Sequence, residues 1–416
     1  MIAHCVRWLQ VAAAAYLALL PTNALNFWRS AAFGLGGVLA LFLVGMAVRG
    51  RGPRITSPGA VVLAALVAWC AWACASLAWT VDPAYTLHEL KHEIGYSLVV
   101  MATFYVAAGT EGGWRTLVVA AIASFAFIAA LALGLAQSAA GWDPGRWHAG
   151  VGPYSTYIVL VSPLLPMLAA RPPAGFGRQR TTLTLVAALM LLLLATARIT
   201  ENRMVWLALG AVFVTIAALL ALRWRGAAVN TPARRAMPLV VLLIVLAGLF
   251  VDVARDKSQQ LFPGQATVSS LANDPRFAVW EYTALRIGER PWLGYGFGKL
   301  IVEADFRRDL ANPLLSHAHN VFLSQWLQLG AVGLAAFTAL LAALTWRFAR
   351  FMRSRSDTVA VVGIVGLSLI AGFVVKNLSD DFLIQSNAKE FWALTAMLLG
   401  FGCARERANS DAFPSG

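Results

Sequence analysis

The 416-residue chain is a succession of apolar stretches, each about as long as a helix that crosses a bilayer. At 1.5 Å of rise per residue, a hydrocarbon core of ~30 Å needs about 20 mostly apolar residues, and about 17 to 25 are tolerated. No water reaches that core, so every backbone N–H and C=O must be bonded internally, which leaves helices or closed barrels. Stretches of this length select helices. Twelve fit: 6–22, 30–48, 59–79, 93–110, 115–136, 152–170, 180–198, 203–222, 236–254, 319–346, 358–376 and 387–404. The one long connection, 255–318, is mostly polar. Only 13% of the residues are charged, against about 25% in soluble domains. A length that would allow two or three soluble domains is therefore read as one all-α transmembrane helical domain over 1–416. No repeat period or low-complexity tract interrupts it.

A net charge of +13 first points to nucleic acid. The placement of the charges points elsewhere. If both termini are cytoplasmic, the inner segments hold Arg7, Arg49, Arg51, Arg54, Arg115, Arg171, Arg178, Arg180, Arg223, Arg225, Arg234, Arg235, Arg347, Arg350, Arg353, Arg355, Arg405 and Arg407, which is 18 of the 33 Lys and Arg. The same segments hold four acids, Glu111, Asp357, Glu406 and Asp411. An inner excess of Lys and Arg is what orients a polytopic protein, and juxtamembrane arginines also meet anionic lipid headgroups favourably. The basic charge is thus a topology signal with membrane lipids as its partner, and no nucleic acid is expected. The 255–318 loop falls on the outer side of the membrane.

No span carries a charge near its middle. Intramembrane ionisable residues mark proton and ion paths, so a coupled transporter or channel is disfavoured and a site at the membrane surface is expected. Arg7 followed by Trp8–Leu20 reads as an uncleaved first span, because further spans follow at once. Cys5, Cys70, Cys74 and Cys403 have neither metal-ligand nor disulfide-framework spacing. Buried thiols of this kind pack as small hydrophobes.

Four outer segments carry candidate chemistry. In Ser316-His317-Ala318-His319-Asn320, Asn320 precedes an apolar run and reads as a helix N-cap. His319 then sits just outside a helix N-terminus, where the dipole disfavours imidazolium and leaves a neutral ring able to accept a proton. Residues two apart point to opposite sides of an extended segment, so only one of His317 and His319 is expected to reach a site, and His319 is favoured.

In Arg198-Ile199-Thr200-Glu201-Asn202-Arg203, Arg198 ends a helix, where a cation is welcome, whereas Arg203 opens one, where it is not. An arginine retained at that position wants an anion. Asp274-Pro275 reads as N-cap and first helical residue, which places Arg276 and Trp280 one turn apart on one face. The planar guanidinium fork suits phosphate.

Gly294, Gly296 and Gly298 follow no strand, so they are read as a tight backbone path back towards the membrane rather than a nucleotide loop. Glu303-Ala304-Asp305 could pair over a divalent ion, but Arg307 and Arg308 beside it favour surface ion pairs. Asp380-Asp381 lies in the last outer loop. No metal is expected. Together these segments outline a site for a lipid-linked phosphate or pyrophosphate with a base beside it.

Between about Arg180 and Phe401, the order Asn202-Arg203-Met204-Val205-Trp206, Arg276 with Trp280, Pro291–Gly298, His317-Ala318-His319-Asn320 and Gln328-Leu329-Gly330 resembles the O-antigen ligase and polymerase superfamily. The resemblance implies a GT-C-like, polytopic glycosyltransferase of the Gram-negative inner membrane, acting at the periplasmic face on glycans carried by undecaprenyl pyrophosphate. It implies that Arg203 and Arg276, with Arg198 as a further candidate, bind the donor pyrophosphate. It likewise implies that His319, or else His317, activates the acceptor hydroxyl, with Asn320, Trp280 and Asp381 as possible accessories. The implied reaction is a single displacement by a lipid A–core hydroxyl, inverting the anomeric centre, with arginines in place of a metal and no cofactor. The turn Ile199-Thr200-Glu201-Asn202 departs from the Ser-Arg form associated with these proteins.

Twelve spans with one long loop before the His-Asn helix look more like the ligase than the polymerase, which shares its chemistry and topology. Protein-glycosylating members carry a longer C-terminal region and rank third. A transporter or flippase would want intramembrane charges or an internal repeat.

Overall fold

The computed structural model describes residues 1–137, 150–170, 179–223, 245–256, 259, 274–310 and 316–412. The protein is an all-α polytopic membrane protein. Its helices are α1 (Ile2–Leu19), α2 (Asn26–Val48), α3 (Ala60–Ala75), α4 (Pro83–Glu89), α5 (Tyr96–Ala107), α6 (Glu111–Ala136), α7 (Val151–Val161), α8 (Leu164–Ala170), α9 (Gln179–Ile199), α10 (Arg203–Arg223), α11 (245–256), α12 (Pro275–Glu289), α13 (Glu303–Asp309), α14 (Val321–Met352), α15 (Asp357–Asn377) and α16 (Gln385–Ala412).

Among the described residues, nine helical stretches are long and apolar enough to cross a membrane, α7 and α8 counting together as one. They correspond to nine of the twelve expected spans. Two more expected spans are helical but differ in kind. Residues 93–110 belong to a helix that starts at Pro83 and passes through a six-residue π-turn, Leu90–Gly95, before α5. Residues 387–404 lie in α16, which is less apolar and buries Glu390. Of span 236–254, residues 236–244 lie outside the described residues, as do Arg171, Arg178, Arg225, Arg234 and Arg235.

Helices α15 and α16 are, with the α7–α8 stretch, largely enclosed. α15 packs on α10, α14 and α16, and α16 packs on α5. In lipid there is little hydrophobic gain from helix pairing, so close backbone approach over small residues matters more. A Cβ at Gly400 would stand 2.2 Å from the Tyr105 carbonyl oxygen, and one at Gly363 2.3 Å from the Met352 nitrogen.

The helix ends sort into two sets. At one end, Arg223 pairs with Asp357 at 3.3 Å, the buried Arg347 with Glu406 at 2.6 Å, and Arg405 with Glu111. Arg347 also donates to the Cys403 thiol at 3.3 Å, and all four cysteines are free. At the other end lie the N-termini of α10, α12 and α14 and the C-termini of α3 and α15. The residues singled out as candidate chemistry gather there.

The expected tenth span is not one continuous helix. Gly330 takes φ 67°, ψ −173°, which divides α14 into a short first part and a long second part. A break strands carbonyls that the helix would otherwise bond, and the 291–298 loop satisfies them. Tyr295 N donates to Leu327 O at 3.0 Å and Gly296 N to Gln328 O at 2.9 Å, while Trp72 Nε1 donates to Leu329 O at 2.9 Å. In return, Ala331 N donates to Pro291 O at 2.8 Å. Only glycine fits at the break, because a Cβ on Gly330 would lie 2.0 Å from Trp292 O.

Candidate active site at one end of the bundle

Asp274 is the hub of the arginine cluster. Its carboxylate caps α12, accepting from Arg276 N at 3.0 Å, with Pro275 at the first helical position as expected. The same carboxylate accepts from Arg203 at 2.6 Å and lies 3.9 Å from the Arg276 guanidinium. Arg203 opens α10, whose N-terminus is set by Asn202, the side chain of which accepts from Met204 N at 3.0 Å. The anion beside Arg203 is thus Asp274. Arg276 extends the chain of charges to Asp380 at 3.7 Å, and Asp380 in turn pairs with Lys376, which is wholly buried at the end of α15.

Arg198 is engaged differently. Its guanidinium meets Asp252 at 3.1 Å and Asp256 at 2.7 Å, both on α11, so two carboxylates already occupy its fork. Trp280 packs edge-on against Phe277 at 5.5 Å between centroids, and Phe277 and Leu285 leave α12 with exposed apolar side chains suited to a membrane interface. Arg203 and Arg276 are therefore brought together, whereas Arg198 has its own partners.

The histidines are built by the cap of α14. Asn320 accepts from Phe322 N at 2.9 Å and Leu323 N at 3.1 Å, and its amide donates to Leu378 O at 2.8 Å, tying this N-terminus to the end of α15. The expectation of an extended segment needs correction. His319 adopts φ 48°, so the segment is not extended, and the His317 and His319 rings lie 3.8 Å apart. His317 Nδ1 lies 3.2 Å from Ser316 Oγ. Burial, with Lys299 and His319 adding to it, holds His317 far below its ordinary pKa and hence neutral.

Lys299 and Asp381 complete the cluster. Lys299 Nζ donates to Asp381 O at 2.6 Å and sits 5.2 Å from the Phe382 ring centre, from which Lys376 Nζ lies 5.0 Å. Burial lowers the Lys299 pKa, while Asp381, Asp380 and Glu93 oppose that shift. Asp381 Oδ2 is buried without a hydrogen bond to a described residue. Lys299 and Lys376 were not singled out from the sequence. Lys376 closes an apolar run, where a basic residue reads as a boundary, and Lys299 follows the glycines as an ordinary loop residue. Of the buried charges, Lys376 lies in the last turn of α15 and Asp380 just beyond it, whereas Glu390 lies in the second turn of α16.

Glu303 and Asp305 are held by Arg307 at 2.5 Å and by Arg286 and Arg308 at 2.5 and 3.0 Å. Among the described residues no group of three or more His, Cys, Asp or Glu is disposed to hold a metal. Of the 255–318 loop, residues 257, 258, 260–273 and 311–315 lie outside the described residues.

The fold and this cluster define a polytopic membrane protein with a cationic, histidine-bearing site at one end of its helical bundle. Residues 188–338 match the O-antigen ligase family model, a stretch that contains Arg203, Arg276, His317 and His319 and bears out the resemblance there. A protein named as a candidate polysaccharide ligase in Rickettsia prowazekii (strain Madrid E) is 33% identical over 113 residues, covering 24% of this chain and 27% of that protein. Its counterpart in Rickettsia typhi is 34% identical with the same coverage. One from Rickettsia conorii is 25% identical over 172 residues, 39% of this chain and 40% of that protein. The matched segments thus span well under half the length of these relatives.

Proposed function

We infer that the protein is an O-antigen ligase-type glycosyltransferase that moves a glycan from undecaprenyl pyrophosphate to lipid A–core at the periplasmic face of the inner membrane. The observation that carries this reading is the convergence of Arg203 and Arg276 on Asp274, at the end of the bundle that also holds His317 and His319. Arg203, Arg276 and Lys376 against Asp274 and Asp380 leave one net positive charge for a pyrophosphate, which can displace Asp274 as the arginines' partner.

In this reaction the acceptor hydroxyl attacks the anomeric carbon as the bond to pyrophosphate oxygen breaks, and inversion follows from a single displacement. His319, with neutral His317 against it, takes the hydroxyl proton. Arg203 and Arg276 stabilise the charge that develops on the leaving pyrophosphate, the electrostatic task a metal performs elsewhere. The excess of arginine at the opposite end of the bundle supports a cytoplasmic assignment for that end and for both termini.

A polymerase would use the same chemistry on a lipid-linked acceptor. Deleting the gene and examining lipopolysaccharide together with lipid-linked glycans separates the readings. Ligase loss leaves bare core with long polymer on the carrier lipid. Polymerase loss leaves core bearing a single repeat unit, and loss of a flippase leaves lipid-linked units in the cytoplasm.

A further inference from the structure

One cavity beside the histidines is left unused by pyrophosphate binding. It has a volume of about 330 Å³ and is walled by the π-turn region, the 299–300 and 316–317 segments and Ile384–Gln385. His317 faces it, together with Tyr85, His88, Glu89, Glu93 and Lys299. The π-turn shapes this wall, and wide turns of this kind recur at functional sites. His88 and His92 stack at 4.2 Å, and Glu89 and Glu93, also four apart, both reach the cavity.

The two glutamates differ in their commitments. Glu93 accepts from Gln385 N at 2.8 Å and pairs with Lys389 at 3.5 Å. No described residue supplies the half-buried Glu89 carboxylate with a hydrogen bond or ion pair, although its stem packs against Gly298. Burial, reinforced by Glu93, raises the Glu89 pKa. A sheltered carboxylate without a partner is costly to the fold, and a ligand rich in hydroxyl donors would supply what it lacks. Two carboxylates on one wall also repel phosphate, and Lys299 already donates to the main-chain carbonyl of Asp381. The chemistry favours an uncharged sugar.

We propose that this cavity binds a sugar of the acceptor, whose hydroxyls donate to Glu89 while its nucleophilic hydroxyl faces the His317–His319 pair. The assignment rests on the transfer reaction inferred above and deepens it. It places donor and acceptor on different sides of the histidines, the pyrophosphate on Asp274's arginines and the sugar against the π-turn.

The test is equilibrium binding to the full-length protein in lipid nanodiscs, using delipidated and dephosphorylated lipopolysaccharide core oligosaccharide as one probe and undecaprenyl pyrophosphate as the other. Wild type should bind the oligosaccharide saturably. Glu89→Ala should weaken that binding by about tenfold or more, as loss of hydrogen bonds to a charged group does, and Glu89→Gln, which keeps the shape, should weaken it less. Both variants should bind undecaprenyl pyrophosphate as wild type does, which also shows that they are folded. Unchanged oligosaccharide affinity in both variants, or no saturable oligosaccharide binding by wild type, overturns the proposal. If an Arg203→Ala/Arg276→Ala variant keeps undecaprenyl pyrophosphate affinity, the donor assignment fails instead, and the oligosaccharide result still decides the role of Glu89.

Discussion

Arg203, the first residue of one helix, lies 2.6 Å from Asp274, the residue that caps another helix 71 positions later in the chain. Each side chain is only 15% exposed. The pair therefore serves two purposes at once, fixing the entry of α12 and holding an arginine ready for an anion.

Asp274 should be separable into these roles. Asparagine caps helices about as well as aspartate, whereas alanine forfeits about 1 kcal/mol. Asp274→Asn should consequently unfold at a higher temperature than Asp274→Ala in detergent, while both lose the charge that restrains Arg203 and Arg276. Equal melting temperatures for the two variants would remove the capping argument.

The arginines should resist conservative exchange. Lysine offers a point charge where the pyrophosphate needs a planar fork, so Arg203→Lys and Arg276→Lys are expected to slow transfer by about 10²-fold, as loss of a transition-state donor does elsewhere. Arg198→Lys should have little effect, because its fork is already taken by Asp252 and Asp256. Initial rates at saturating acceptor decide this.

Gly330→Ala should be severely destabilising, by more than about 3 kcal/mol, since it combines a positive φ with a collision against the Trp292 carbonyl. Thermal unfolding of the purified variant measures it. Wild-type stability in Gly330→Ala would mean that the 291–298 loop does not dock at the break.

Much of this arrangement was legible in the sequence, and what was missed shares a cause. Caps are local: Asn320 and Asp274-Pro275 announce helix starts within two or three residues, and the structure has them as N-caps. Apolar runs are equally local, and most of the expected spans are helices. The break at Gly330 lies inside such a run, where hydropathy is blind to a single backbone dihedral. The pairings of Arg203 with Asp274 and of Arg276 with Asp380 depend on which helix ends meet, and spacing along the chain carries no trace of that. The two histidines were separated by assuming an extended segment, and the positive φ of His319 brings them together. The π-turn leaves no periodic signature because its residues would suit an α-helix equally well.

The neutral state of His317 has a pH consequence. Its pKa in the fold lies well below the ordinary value near 6.5, so below that pH the unfolded chain binds a proton that the folded chain refuses. Stability contributed by this residue is complete above about pH 6.5 and falls as the pH drops below it. Melting temperature should decline between pH 7 and pH 5, and His317→Asn should flatten the decline. An unaltered slope in the variant would assign it to other groups.

The central claim is tested most directly by reconstituted transfer. Purified protein in liposomes is given O-antigen on undecaprenyl pyrophosphate together with lipid A–core, and the products are resolved by size. Glycan-capped lipopolysaccharide should form with release of undecaprenyl pyrophosphate, and His319→Ala and Arg276→Ala, inserted and folded normally, should lose nearly all of it. Full transfer by His319→Ala, or no transfer to lipid A–core by the wild type, would contradict the account.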